Sequence, residues 1–470
     1  MLVKDMVQVY MEAFKENIQD ICDMRVEFDD LSPAILSEIT SAFKKAAGAG
    51  GQAMLKRFFE SLDVDAPKLI KDGQEYLRKM VSSRPFLTAF GEVEVSRTLY
   101  QRRDGGQCLI PIDAKLAMTD DYATPDVRDA VLYTAVHNTP REVESILAKC
   151  ALFTPGATAI VNMLNKTGRA IYERERELAE NISSKRKISD SAEVVAVSLD
   201  GATVRLKGRI KDENDTHSTH YKNAMVGTIS HYGAATENDK GQLERERFET
   251  TYIGRMPEEG ASTLKKHLED ELERQYDQLS GNVVKMLICD GARSLWSYAD
   301  GTSLFDDHVK VLDFYHASEH LHEAAEALFG KGFKAASEWY RKWYDKLLES
   351  DGGVDGVIRS IEYYLKRKKL SKKRRAIAES QRNYFLNNKI RMNYAELLRR
   401  GLPIGSGVVE AACKTIVKTR MCRCGMSWKK ASGQSVMTLR CYAKSEIWDL
   451  FWETCCEMRV KEEAEFKIAA

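Results

Sequence analysis

Apolar residues recur at three- and four-residue steps from the start of the chain (Val7, Tyr10, Met11, Phe14), the period of an amphipathic helix. This reading holds over residues 1–75, with Gly48-Ala49-Gly50-Gly51 as punctuation. Between Phe86 and Leu116 the period shortens to two: Val93, Val95 and Leu99 interleave with Glu92, Glu94 and Arg97, a strand pattern. Helical spacing returns from Thr124 to Asn181. Thr139-Pro140 and Thr154-Pro155 each set a hydroxyl before a proline, which predicts helix starts. The resulting helices, 140–150 and 155–167, fit a helix-turn-helix and fit a plain helical bundle equally well. The polar stretch Ser183–Ser191 reads as a linker.

A strand-rich block follows. Val194–Leu199 is a short apolar run suited to a strand buried on both faces, and Thr203–Arg209 and Met225–His231 alternate as its neighbours. A helix is predicted from Thr263 to Leu279, then two further buried strands, Val283–Cys289 and Val309–Leu312. Residues from Phe314 to about Arg400 are helical and rich in Trp, Tyr and Lys, and a last amphipathic helix begins near Gly405. The segments are therefore 1–75 (helical), 76–120 (short β segment), 121–190 (helices and linker), 191–312 (α/β), 313–400 (helical), 401–445 (second part of the α/β core) and 446–470 (helical tail).

Length and composition constrain this picture only loosely. A chain of 470 residues exceeds one compact core, so two to four domains are expected. With Lys+Arg 71 against Asp+Glu 70, the net charge of +1 argues neither for nor against a nucleic-acid partner. No run of eighteen apolar residues exists to span a membrane, and the N-terminus lacks a signal-peptide apolar core, so the expected location is cytoplasmic. The ten cysteines show no CxxC pair and read as reduced thiols. A zinc site at Cys422 and Cys424 would have to recruit Cys413 and Cys441, and the irregular spacing disfavours it.

Chemistry enters through three acids. Two predicted strands end in Asp-Gly-Ala, at Asp200 and at Asp290. In α/β sheets the carboxyl ends of strands are where ligands sit. Two carboxylates brought together there repel unless cations lie between them, a need that a pair of Mg2+ (or Mn2+) ions meets in phosphodiester chemistry. Glu410 follows Pro403-Ile404-Gly405-Ser406-Gly407, a loop entering a helix with Ser406 as N-cap, and Lys414 and Lys418 fall on its face at four-residue steps. Taken alone, Glu410 and Lys414 would be an ordinary surface ion pair, and single Asp-Gly steps are common in turns.

Together, the segments SLDGATV (198–204), VGTISHYG (226–233), TYIGRMPE (251–258), LICDGARSLW (287–296), VLDFYHASEHL (311–321) and PIGSGVVEAACKTIVKTRM (403–421) resemble those of bacterial insertion-sequence transposases of the DDE superfamily. The match is with the Kra-type branch related to Mutator-like elements and runs in order from about residue 76 to 445. The resemblance implies an α/β, RNase H-like catalytic domain, a mixed sheet flanked by helices, with a large all-α insertion and a mostly helical N-terminal region. It implies Asp200, Asp290 and Glu410 as catalytic residues and ligands of two metal ions, and Asp313 and His316 (a D-x-x-H string) as supporting residues that order DNA. Relatives carry a cysteine-paired, zinc-ribbon-like segment where this chain has Tyr100–Asp113 with Cys108 alone, so no zinc is expected there.

The expected partners are double-stranded DNA, as element ends and target, and a second copy of the chain on DNA. Between residues 361 and 440, twenty Lys and Arg face four acids, a local excess of +16 that makes a phosphate-attracting surface. Lys372, Lys373, Arg374 and Arg375, together with Lys414, Lys418 and Arg420, are the candidate DNA contacts. Nearby aromatics (Trp339, Trp343, Tyr363, Tyr364, Tyr384, Tyr394) could stack on bases, although core packing is the commoner use of that spacing. Two rival readings remain: a transposase-derived DNA-binding protein without catalysis, and a zinc metalloprotease using His316-Ala317-Ser318-Glu319-His320.

Overall fold

A computed structural model describes residues 3–22, 25–208, 220–239, 241–279 and 281–469. The fold is mixed α/β, with two five-stranded sheets and many helices, and the chain divides into two compact units, 1–182 with 448–470, and 183–447.

The first unit opens with α1 (Val3–Cys22) and α2 (Pro33–Ser61), the latter capped by Ser32, whose hydroxyl accepts the Ile35 N–H at 3.3 Å. The glycine run expected to interrupt these helices lies inside α2. A Cβ on Gly50 would stand 2.8 Å from the Tyr10 ring, and one on Gly51 would stand 2.2 Å from Phe90. Glycine here permits close packing and breaks nothing. Strands follow earlier than the alternation suggests: β1 (Lys68–Lys71), β2 (Gln74–Thr88), β3 (Gly91–Arg102) and β4 (Cys108–Leu109). The polar/apolar alternation is lost on β2 because Leu77, Met80 and Val81 are exposed along it. Helices α3 (Pro111–Lys115), α4 (Pro125–His137), α5 (Pro140–Cys150), α6 (Ala157–Glu173) and α7 (Glu175–Lys185) complete this stretch. Thr139 and Glu142 form the full reciprocal cap of α5. Thr154 does not cap α6. Gly156 occupies that position, and the Ala157 N–H donates to Glu144 instead (3.3 Å).

In the second unit, β5 (Val194–Arg205), β6 (Tyr221–Glu237) and β7 (Leu243–Arg255) form an antiparallel meander. The predicted strand end at Arg209 lies outside the described residues. After α8 (Ser262–Gln278), β8 (Val284–Cys289) pairs parallel to β5. Then α9 (Arg293–Asp300) leads to β9 (Val309–Leu312), parallel to β8, giving the order β7-β6-β5-β8-β9. Val194–Val197 and Leu199 are buried, as the unbroken apolar run requires, and Leu264, Leu268 and Leu272 of α8 join the same core. Helices α10 (Phe314–Phe329), α11 (Lys334–Glu349), α12 (Gly353–Arg367), α13 (Lys372–Asn388) and α14 (Tyr394–Arg399) occupy the stretch read as helical.

A composite helix follows: α15 (Gly407–Ala412), a π-turn (Cys413–Lys418) and α16 (Thr419–Met421). Together with α17 (Lys430–Lys444) it packs on Ala202, Val204, Ala224 and Val226 of the sheet. The chain then supplies α18 (Trp448–Glu463) and β10 (Lys467–Ala469) to the first unit, where β10 pairs with β1 to give the order β10-β1-β2-β3-β4. There Asp121 accepts from Arg128 and Arg459, each at 2.7 Å, and from Lys166 at 3.0 Å.

Candidate functional site

The register of the second sheet brings three aspartates level. Val197 pairs with Leu287, so three residues further along each strand stand Asp200 and Asp290; Cys289 pairs with Leu312, so one residue further stand Asp290 and Asp313. Adjacent strands lie about 4.8 Å apart, and register mates share a face. Asp200 is not at the end of its own strand, since β5 continues to Arg205 against β6. It sits where the neighbouring β8 stops.

Each aspartate is held by its local backbone. Asp200 accepts the Gly201 N–H at 2.6 Å, and Asp290 accepts the Ala292 N–H at 2.9 Å. Trp296 donates its indole N–H to the Asp290 carbonyl at 2.7 Å, and the Arg391 guanidinium covers that indole at 4.2 Å. Asp313, fully buried, caps α10. One oxygen takes the His316 N–H (2.7 Å) and ring nitrogen (3.1 Å), and the other takes the Ser406 N–H. Ser406 stands at the N-cap of the Glu410 helix as expected, but its side chain does not bond the helix's N–H groups: its own N–H serves Asp313, and its hydroxyl donates to Glu410 at 3.4 Å.

Glu410 stands in the first turn of α15. It lies 3.9 Å from the His316 ring nitrogen, and among the described residues the three donors that gather within 4.8 Å are those of Asp313, His316 and Glu410. Asp200, Asp290 and Glu410 do not form so tight a set. Asp200 and Glu410 instead line one cleft of about 600 Å³ with Cys413, Lys414, Lys418 and Thr419.

The ionisations register this crowding. Hydrogen bonding to Asp313 pushes His316 up to about 9, and the charges of Asp290 and Glu410 add to the effect. Burial would raise Asp313, but its hydrogen bonds from His316 and Ser406 hold it below the usual carboxylate range. Burial, reinforced by Asp290, Asp200 and Asp313, pushes the Cys289 thiol up to about 12. Cys413 is raised likewise by burial and by the neighbouring Asp200.

Among the described residues neither Asp200 nor Asp290 has an ion-pair partner, although they stand on neighbouring strands. Two uncompensated carboxylates of that kind fit a hard divalent cation with oxygen ligands. The His316–Glu319–His320 string does not assemble as a zinc site: His316 is bound to Asp313, while His320 stacks on Tyr384 (3.6 Å between ring centres) and binds Gln381 at 2.7 Å.

Of the basic candidates, Lys414 and Lys418 line the cleft, and Lys372 and Lys373 are exposed at the start of α13. Arg374 donates to the Ala327 carbonyl at 2.8 Å, and Arg375 faces Glu379 at 3.9 Å. Arg420 departs from expectation: it is 2% exposed and packs over Trp428, because the helix turns that position inward, so it is not a surface contact. Trp339 and Tyr394 are core residues, whereas Tyr363 is exposed. The sequence marks Ser406 as a helix cap, Cys413 as a possible zinc ligand and Tyr384 as a stacking aromatic, but not the parts they play beside Asp313, Asp200 and Gly291, since each acts on a residue brought near by folding.

No curated protein matches the chain significantly. Among solved structures, a chain of the "Drosophila P element transposase strand transfer complex" is similar over 71% of this chain and 94% of its own, with 10% identity and a TM-score of 0.35. At that level the likeness assigns neither fold nor function. Among the described residues no helix is long and apolar enough to cross a membrane. The family profile, by contrast, spans residues 34–448, most of the chain: the protein belongs to the family described as Uncharacterised protein family (UPF0236).

Proposed function

We propose that this protein is a DDE-type DNA transposase, of the Kra-type insertion-sequence kind, that cuts and joins DNA at element ends. The observation that carries the reading is the in-register array of Asp200, Asp290 and Asp313 on three adjacent parallel strands, with Glu410 delivered beside it by a separate helix. In this reading β5 to β9 with α15 to α17 are an RNase H-like core, and α10 to α14 are an all-α insertion between the second aspartate and the glutamate. Residues 121–190 are the candidate for reading the terminal sequence, and two copies act on paired ends in the cytoplasm.

Asp200, Asp290 and Glu410 would hold two Mg2+ or Mn2+ ions. When bound, such ions supply activation of the attacking oxygen and stabilisation of the leaving one. The protein's own part is positioning. Backbone N–H groups fix the Asp200 and Asp290 carboxylates, Trp296 fixes the Asp290 backbone, and Lys414 and Lys418 draw the DNA phosphates into the cleft. Asp313 holds His316 cationic beside Glu410, which keeps an anion-attracting group among the acids. The test is cleavage of element-end oligonucleotides with Mg2+. The wild type is expected to nick them and Asp290→Asn to lose that activity by at least about 100-fold, a loss typical of removing a catalytic group. An uncut wild-type substrate, or equal cutting by the variant, refutes the enzyme and leaves at most a DNA-binding protein.

A further inference from the structure

The helix that carries Glu410 is not a plain α-helix, and its sequence says why. Ala412-Cys413, Ile416-Val417 and Arg420-Met421 are buried, while Glu410-Ala411, Lys414-Thr415 and Lys418-Thr419 are exposed. Pairs repeating every four residues need a mean period of four. In an unbroken α-helix a residue eight positions on is rotated by about 80°, so Lys418 would swing away from Glu410. The wider π-turn at Cys413–Lys418 rotates less per residue and cancels that drift. Lys414 and Lys418 consequently line the same cleft as Glu410 and Asp200.

A π-turn breaks the regular ladder of backbone hydrogen bonds and needs other donors for its carbonyls. Arg440, on α17 and only 3% exposed, supplies them. Its Nε donates to the Ile416 carbonyl at 2.8 Å, and its Nη2 donates to the Thr415 carbonyl and to the Thr419 hydroxyl (3.4 Å). Thr419 in turn donates to the Thr415 carbonyl at 2.8 Å. A planar fork can serve two neighbouring carbonyls at once, and a lysine ammonium in the same place cannot do so with the same geometry.

We infer that Arg440 is a positioning residue that locks the π-turn of the Glu410 helix and thereby aims Lys418 at a DNA phosphate in the cleft. The consequence for DNA rests on the nuclease reading; the clamp itself does not. The experiment measures binding of the full chain to a random-sequence 30-base-pair duplex by fluorescence anisotropy across a salt series. Each phosphate that the protein no longer neutralises lowers the log–log salt slope by about 0.9.

Lys418→Ala should lower the slope by about that amount. Arg440→Lys should lower it equally, and the double variant no further, because both act on the same phosphate. A merely structural arginine would lower the melting temperature and leave the slope, and the effect of Lys418→Ala, intact. Should Arg440→Lys fail to fold, Thr419→Val loosens the same clamp at an exposed position and is expected to lower the slope in part. Additive slopes, an unchanged slope in Thr419→Val, or no effect of Lys418→Ala overturns the proposal. Loss of the nuclease reading looks different: coupled slopes with no cutting at any element end.

Discussion

Asp290 is followed by Gly291, a position into which Tyr384 is pressed. A Cβ there would stand 2.5 Å from the ring and 2.9 Å from the hydroxyl, which is itself buried without a hydrogen-bond partner among the described residues. Gly291→Ala must displace either the tyrosine or the Asp290 turn, and is expected to destabilise the protein by about 1–3 kcal/mol in urea unfolding. Tyr384→Ala in the same chain should recover part of that loss, whereas simple addition of the two penalties would show that the ring is not the obstacle. His308 gives a pH signature. Burial pushes it down to about 4, with Tyr276 on one ring nitrogen (2.8 Å) and Asp307 on the other (3.0 Å). The folded protein keeps this imidazole neutral while the unfolded chain protonates it below its ordinary value of 6.5. Unfolding thus takes up a proton between those two values, and stability contributed here is intact above pH 6.5 and falls as the pH drops toward 4, by up to about 3 kcal/mol. His308→Gln should flatten the urea-derived stability across that window relative to wild type; parallel curves would contradict the assignment.

At the scale of elements, α13 separates two uses of positive charge that look alike in sequence. Lys372 and Lys373 project into solvent, while Arg374 ties the helix start to the end of α10 through the Ala327 carbonyl. Replacing Lys372 and Lys373 by alanine should weaken binding to DNA of any sequence and reduce the salt slope by about 0.9 for each phosphate left unneutralised, with little change in melting temperature. Arg374→Ala should do the converse, lowering stability by about 1 kcal/mol through removal of its hydrogen bond. Equal slopes in all three proteins would remove this helix from the DNA surface. The period-four pattern of the Glu410 helix was open to view in the sequence, yet four-residue steps among Glu410, Lys414 and Lys418 suggest an α-helix face first. What distinguishes the π-turn is the paired buried positions continued through Arg420, which only make sense once Arg420 is seen to be interior.

For the whole molecule, the apolar runs, the two Asp-Gly-Ala steps, the helical stretch after residue 313 and the cap of α5 were legible because each depends on neighbours within a few residues. A run such as Val194–Leu199 can satisfy its backbone and bury its side chains only in the middle of a sheet, so the sequence by itself determined that strand, while the register with its neighbours set the level at which Asp200 stands. Strand order and helix packing decided the rest. They made Asp313 the third aspartate of the array and gave it the Ser406 N–H. They set Glu410 beside His316 and turned Arg420 inward, and they drew the C-terminal residues 448–470 into the unit that holds the first 182. Hydrogen bonds, ion pairs and burial act over a few ångströms of space irrespective of separation along the chain. A pairing such as Asp313 with Ser406, or Arg440 with Ile416, therefore leaves no local trace until the chain has folded.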